Sequence, residues 1–215
     1  MLELLTGAGL ATASGLNAFI PMLALGLLSK FTDLVNLPQG WEWLENPWVL
    51  GIIGVLLALE VVADKIPAVD TVNDAIQTFI RPTSGGIVFG AGTAAQTAAI
   101  QDPAAWWQSN AWVPVVIGIV TALAVHFGKS TTRAASNTVS VGAAAPVLSV
   151  GEDAMSIGLV FAAVLLPVLV LVLIAALVLM FWWMYRTLRH IRDRLRGEDP
   201  DAPEIPRAGG ATAAI

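Results

Sequence analysis

Between residues 60 and 82 the chain gathers Glu60, Asp64, Lys65, Asp70, Asp74 and Arg81, with Asn73 and Gln77 among them. The run before it, Trp48 to Leu59, carries no charge. Charge beside hydrocarbon is expensive and marks a site or a structural pairing. The carboxylates could bind a cation or relay protons, and the Lys and Arg groups could hold an anionic head group. Four acids beside so few bases lean toward the cation or proton. On a helix, Glu60 and Asp64 lie one turn apart on one face. Lys65 then points away from Glu60, so a partner from another segment is expected. Further on, residues 129–153 hold Lys129, Arg133, Asn137 and the Glu152–Asp153 pair. Asn17 and His126 are candidates to line a cavity.

Other chemistries are poorly supplied. With no Cys and two His, at 126 and 190, neither a thiolate site nor a His-rich metal site can be built. No Gly-x-Ser-x-Gly nucleophile motif occurs. No catalytic, metal-ligating or cofactor-binding residue is assigned.

The elements that must position these groups are apolar. Of 215 residues 56% are hydrophobic and 13% charged, with a mean hydropathy of +0.74. That charged share is about half the usual one for soluble domains, which points to an all-α polytopic membrane protein. Residues 1–185 hold five Lys/Arg against eleven acids, and residues 186–215 hold six against five. An acidic body argues against nucleic acid as a partner.

Residues 2–31 are over-long for one span, which needs about 20 residues. Ser14 to Ala18, followed by Pro21, offers a break. The segment is either one tilted helix or a broken, re-entrant one whose Asn17 lines a cavity. Its first apolar stretch lacks a positive leader and is expected to be retained. Residues 32–47 form a loop with Trp41, Trp43 and Trp48 at its end, as interfacial anchors. Residues 48–64 are the second span. From Pro67, apolar Val69, Val72, Ile76 and Phe79 oppose a stripe of Asp70, Asn73, Asp74, Gln77 and Arg81. This amphipathic helix over 68–82 could lie on the membrane surface or turn its stripe into a cavity. The third span, 84–101, is Gly-rich. A loop with Trp106 and Trp107 leads to the fourth, 112–128. The last, 154–185, has Pro167 in its middle. Residues 186–196 form a basic helix suited to anionic lipid, and 197–215 a disordered tail. Residues 1–185 are the transmembrane domain.

A shift of 64 superposes part of the chain on itself. Residues 46–82 and 110–146 share 11 identities in 37 positions, among them Trp48 with Trp112, Lys65 with Lys129, Asn73 with Asn137 and Pro82 with Pro146. Repeat copies at about 43–101 and 107–165 are expected, with a site at their interface. Lys65 and Lys129 could then meet the acids near one axis. Glu60, Asp64, Asp70 and Asp74 have no acidic counterpart, so any specific chemistry is assigned to them.

The positive-inside rule puts the Trp loops outside and the N-terminus inside, but five simple spans would leave the basic tail outside. A dip of residues 134–150 into the bilayer would repair this, giving five or six segments.

The phrases Ala13-Ser14-Gly15-Leu16-Asn17-Ala18-Phe19-Ile20-Pro21 and Glu60-Val-Val-Ala-Asp64-Lys65-Ile66-Pro67-Ala-Val-Asp70, then Ile80-Arg81-Pro82, resemble the bacterial membrane family called domain of unknown function 4126. The likeness covers roughly residues 5–180. It implies a multi-pass protein of the bacterial inner membrane and supplies no activity. From the residues, three functions stand: a small transporter, channel or lipid-carrier translocase; a structural or assembly factor, with small-residue faces that could serve oligomerisation; and, with least support, an intramembrane enzyme.

Overall fold

The computed structural model describes residues 2–93, 110 and 112–195, and among them every regular element is helical. The order is α1 (Leu2–Leu16), α2 (Phe19–Phe31), a 3-10 turn (Glu42–Glu45), α3 (Pro47–Ala63), α4 (Pro67–Thr93), α5 (Trp112–Ser140), α6 (Ala145–Leu165) and α7 (Pro167–Leu195). The Trp106–Trp107 loop and the 197–215 tail lie outside the described residues.

Local chemistry sets the boundaries. The Asn46 side chain accepts from Trp48 N at 2.9 Å and caps α3. Pro47, Pro67 and Pro167 each open a helix, where a missing N–H costs nothing. The same proline explains why residues 154–185 are not one helix. Leu166 precedes Pro167, is pushed out of helical geometry (φ −141°, ψ 67°), and divides α6 from α7. Residues 134–150 are likewise not one element. They are the end of α5, a reversal through left-handed Val141 (φ 52°) and Gly142 (φ 83°), and the start of α6.

The fourth span does not stop at 128, because α5 continues to Ser140. Nor is there a separate surface helix over 68–82, because α4 runs unbroken through Pro82. Its polar stripe faces inward, with Gln77 and Arg81 buried, while Val72, Ile76 and Phe79 are exposed. The breaks between elements do not recur at the 64-residue spacing. The chain turns at 64–66, whereas α5 is continuous through 128–130.

α1 is the central element, with Gly7 and Gly9 to Leu16 buried among α4, α5, α6 and α7. A Cβ at Gly15 would lie 2.5 Å from Val125 Cβ and 2.7 Å from Ala122 O, so only glycine lets α1 and α5 touch. α1 and α2, of 15 and 13 residues, are each too short to cross about 30 Å of hydrocarbon. They do not continue one another. Going inward, α1 passes Thr93 and Phe89 at Gly7, then Ala122 and Val125 at Gly15. α2 then comes back, so that Gly26 meets Leu44 and Leu50, and Ser29 donates to Glu45 at 2.6 Å. Trp41 packs on Gly90, near the end of α4. Both ends of the α1–α2 pair therefore lie at the tryptophan end of the bundle. α3 to α7 alternate in direction, which puts Arg186 and Arg189 of α7 at the opposite end, with Lys65. Residues 2–31 therefore do not traverse the bundle, and the N-terminal residues sit at the end opposite Arg186 and Arg189.

The packing is inverted relative to a soluble protein. Exposed positions on α7 include Val168, Leu171, Val172, Val178 and Leu179, and on α3 Ile52, Val55, Leu59 and Val62, while Glu60, Asp64, Arg81, Lys129 and Arg133 are buried. α5, α6 and α7 are each long and apolar enough to cross a bilayer. An apolar exterior around a charged interior is the arrangement of a helical membrane protein.

Two outcomes follow. In this Cys-free chain, single cysteines at Leu34 and Asn110 will react with an impermeant thiol reagent from one side of the membrane, and those at Ile66 and Val141 from the other; labelling of 34 and 66 from the same side would contradict the fold. Gly15→Val will overpack the α1–α5 contact and destabilise the protein by about 1–3 kcal/mol, read as a lower unfolding temperature in detergent, whereas Gly51→Val, which faces open space, will not.

Candidate functional site: a charge network at the helix break

A helix leaves its last four carbonyls without partners, and α1 ends in the middle of the bundle where no solvent can hydrate them. The surrounding helices supply the donors. Ala13 O accepts from Asn17 N at 2.9 Å and Ser156 Oγ at 3.1 Å, and just beyond the helix end Ala18 O accepts from Ser84 Oγ at 2.6 Å. Leu16 O accepts from Lys129 Nζ at 2.9 Å, and Gly15 O from Arg81 Nη1 at 3.4 Å. Two cations thus sit at the negative end of the α1 dipole. Asn17 serves both sides of the break. Its Oδ1 accepts from Phe19 N at 3.1 Å and Ile20 N at 3.2 Å, capping α2, while its Nδ2 donates to Asp153 Oδ1 at 2.9 Å.

Buried cations require counter-charges. Arg81 Nη2 lies 2.9 Å from Glu60 Oε1 and 3.9 Å from Asp64 Oδ2, and its Nη1 lies 4.0 Å from Asp74 Oδ1. Lys129 Nζ is 3.1 Å from both Asp64 Oδ2 and Glu152 Oε2. Arg133 grips Glu152 with two hydrogen bonds, of 3.2 and 2.5 Å, and reaches Asp64 Oδ2 at 3.3 Å. Asn73 Nδ2 donates to Asp64 Oδ1 at 2.8 Å. Glu60, Asp64 and Glu152 therefore face Arg81, Lys129 and Arg133, all of them at most 6% exposed. Half-buried Asp74 and Asp153 add two carboxylates at the edges.

His126 completes the Arg81 shell. Its Nδ1 lies 3.2 Å from Arg81 Nη1, and a guanidinium can only donate. Nδ1 is therefore the acceptor. Nε2 carries the proton and donates to Thr78 Oγ1 at 3.0 Å, which in turn donates to Asp74 O at 2.9 Å.

The fold thus brings together Glu60, Asp64, Asn73, Asp74, Arg81, Lys129 and Arg133, with Asn17 and His126 at the same level. Lys65 stays outside. It is half-buried, and its Nζ donates to Val61 O at 2.8 Å, so the symmetric pairing with Lys129 does not form. The reason is angular: Lys65 follows Asp64 directly at the turn after α3 and leaves on another side. Asn137 lies one turn beyond Arg133 on α5, with its buried Oδ1 making no hydrogen bond. The Asp70 side chain lies outside what the structure describes. Glu152 and Asp153, read in the sequence only as part of a polar stretch, are network members. The signal that could have found Glu152 is the pair of adjacent carboxylates in the otherwise uncharged run 145–165. Among the described residues no three acidic or His side chains are grouped to hold a metal ion.

Searches of curated proteins and of solved structures match nothing to this chain. A family model does match, over residues 4–187, a range that contains the whole network, and the chain belongs to that family, described as domain of unknown function (DUF4126).

Proposed function

We propose that this is a small membrane transport protein whose coupling site is the charge network at the α1–α2 break. One observation carries the reading: the tip of a broken helix pair, deep in the bundle, is closed by exchangeable ion pairs from four other helices. Discontinuous helices with buried charge at mid-depth are the usual construction of transporter sites. A protein needing only a stable scaffold would do as well with apolar packing there, since a buried ion pair is roughly neutral for stability. In this proposal α3 to α7 cross the membrane of a bacterial cell and α1–α2 re-enters from the outer face. The basic end of α7 is cytoplasmic, by the charge rule. Arg186 stacks 5.4 Å over the Trp182 ring there, beside exposed Trp183, a setting suited to anionic lipid.

A second reading, an assembly or oligomeric role, is favoured by Gly51 and Gly54 on α3 and Gly151 and Gly158 on α6. None has any atom within 4 Å of an added Cβ, so these small faces are open to another helix.

Flux in proteoliposomes separates the two. Glu60→Gln will keep a folded, monodisperse protein and abolish ion flux. Lys129→Met, which strips Asp64 and Glu152 of a shared cation, will cost about 3–5 kcal/mol of stability. Wild-type flux in Glu60→Gln would assign the network to structure alone. Gly54→Leu would then be the informative variant, since loss of a cross-linked oligomer would support the assembly role.

A further inference from the structure

Most of the network's carboxylate oxygens are engaged. Asp64 accepts from Asn73 and faces Lys129 and Arg133, and Glu152 is held by Lys129 and Arg133. Two oxygens are buried without any hydrogen bond to the protein: Glu60 Oε2 and Asp74 Oδ1. They stand on either side of one guanidinium, with Glu60 held at 2.9 Å by Nη2 and Asp74 at 4.0 Å from Nη1. Arg81 Nε and, one turn earlier on α4, Gln77 Oε1 are also buried and unbonded. Glu60 is 2% exposed and Gln77 2%.

The charge count gives these groups a meaning. Buried Glu60, Asp64 and Glu152 balance Arg81, Lys129 and Arg133, and half-buried Asp74 and Asp153 add two carboxylates against one further half-buried base, Lys65, which acts on Asp153, so acids outnumber bases by one where uncompensated charge is costly. A metal cation would need several oxygen ligands converging on one point, and no three acids of the described residues do so. A proton needs one free oxygen. Glu60 Oε2 is free, and the guanidinium that holds Oε1 has a second carboxylate within reach.

We infer that Glu60 is a proton-binding site and that Arg81 exchanges Glu60 for Asp74 when the proton arrives. The inference rests on the transport reading and names the ion that the network carries or is coupled to. The proton comes from bulk water. An O–H bond forms at Oε2, Glu60 passes from −1 to neutral, and Arg81 and Asp74 keep their charges as their pairing tightens. The charged groups acting on Glu60 are Asp64 just past the end of its helix, Arg81 from α4 and Lys129 from α5; behind them Asp74 and His126 contact Arg81, while Arg133 from α5 and Glu152 from α6 contact Asp64 and Lys129. α1 presents backbone carbonyls there. His126 is a positioning residue: its Nδ1 accepts from Nη1, the arm of Arg81 that turns toward Asp74.

The test is infrared difference spectroscopy of the full chain in phosphatidylcholine–phosphatidylglycerol nanodiscs across a pH titration. A protonated-carboxyl C=O band will grow as pH falls and will be absent in Glu60→Gln. In Asp74→Asn, the Nη1 arm of Arg81 loses its carboxylate, and the other alternative, Asp64, is already shared by Lys129 and Arg133; Arg81 then stays on Glu60, so proton binding will weaken about tenfold, a shift of about one unit to lower pH. A band that persists in Glu60→Gln, or an unshifted midpoint in Asp74→Asn, overturns the inference. So does a midpoint that moves with NaCl or KCl at constant ionic strength, which would assign the site to a metal cation. Should Glu60→Gln fail to fold, Glu60→Asp must move the band or its midpoint, and an unmoved band overturns the assignment equally. Proteoliposome flux keeps the two readings apart. A Glu60-dependent band without flux sinks transport and leaves the proton site, whereas Glu60-dependent flux without the band does the reverse.

Discussion

The structure depends on one constraint: α1 stops where there is no water. Its terminal carbonyls must be satisfied by side chains, and the negative end of a helix dipole selects cations. Lys129 and Arg81 meet that need from α5 and α4. Once two cations are buried, carboxylates must follow, and they come from α3 and α6. A third cation, Arg133, then binds Glu152 and Asp64 together. Every long-range contact in the network traces back to the helix break. Its position is fixed by Asn17, which caps α2 and ties the break to α6.

The small residues of α1 are the counterpart of this network. Close approach at Gly15 and along the α4–α5 seam, where an added Cβ at Gly86 would lie 2.9 Å from Ile119, lets backbone carbonyls and side-chain cations meet without long, mobile arms. Ser14 and Ser84 bond across the α1–α4 contact at 3.1 Å. In lipid the association of helices gains little from the hydrophobic effect, so tight packing and polar contacts must supply it. Here both converge on α1, which explains why the polar faces of α4, α5 and α6 turn toward it.

Much of this was legible in the residues. The break at Ser14 to Ala18 shows in the polar and small residues there, and the shared face of Glu60 and Asp64 follows from helical spacing alone. The orientation of α4 does not follow. Periodicity reveals a polar stripe, but not whether the stripe faces water or other helices. That is decided by partners such as His126 and Glu60, which lie 45 and 21 residues from Arg81. Glu152 was hidden for the same reason: its worth depends on Arg133 and Lys129, which only tertiary folding brings near. Nor does the continuity of α4 through Pro82 follow, because it depends on packed neighbours that re-satisfy the groups a proline frees. The likeness at a spacing of 64 preserved residue types but not element boundaries. Lys65 and Lys129 therefore match in sequence and differ in role: one bonds a carbonyl of its own helix, while the other sits at the centre of the network.

A network of this kind is poised for exchange. Each of its three bases faces more than one carboxylate, and the alternatives differ by only about an ångström: Arg81 has Glu60 at 2.9 Å and Asp64 and Asp74 near 4 Å. Where one charge has several partners at similar depth, changing partners costs little net Coulomb energy, because desolvation has already been met by the fold. Gain or loss of a single unit charge then tips the choice among pairings, since at low dielectric that charge outweighs small differences in distance. The polar stripe of α4 is therefore more than a structural seam. Arg81 links the broken helix through Gly15 O, the α3 acids and His126, so a change in its pairing alters the hydrogen bond at the α1 tip and the packing of α3 in the same step.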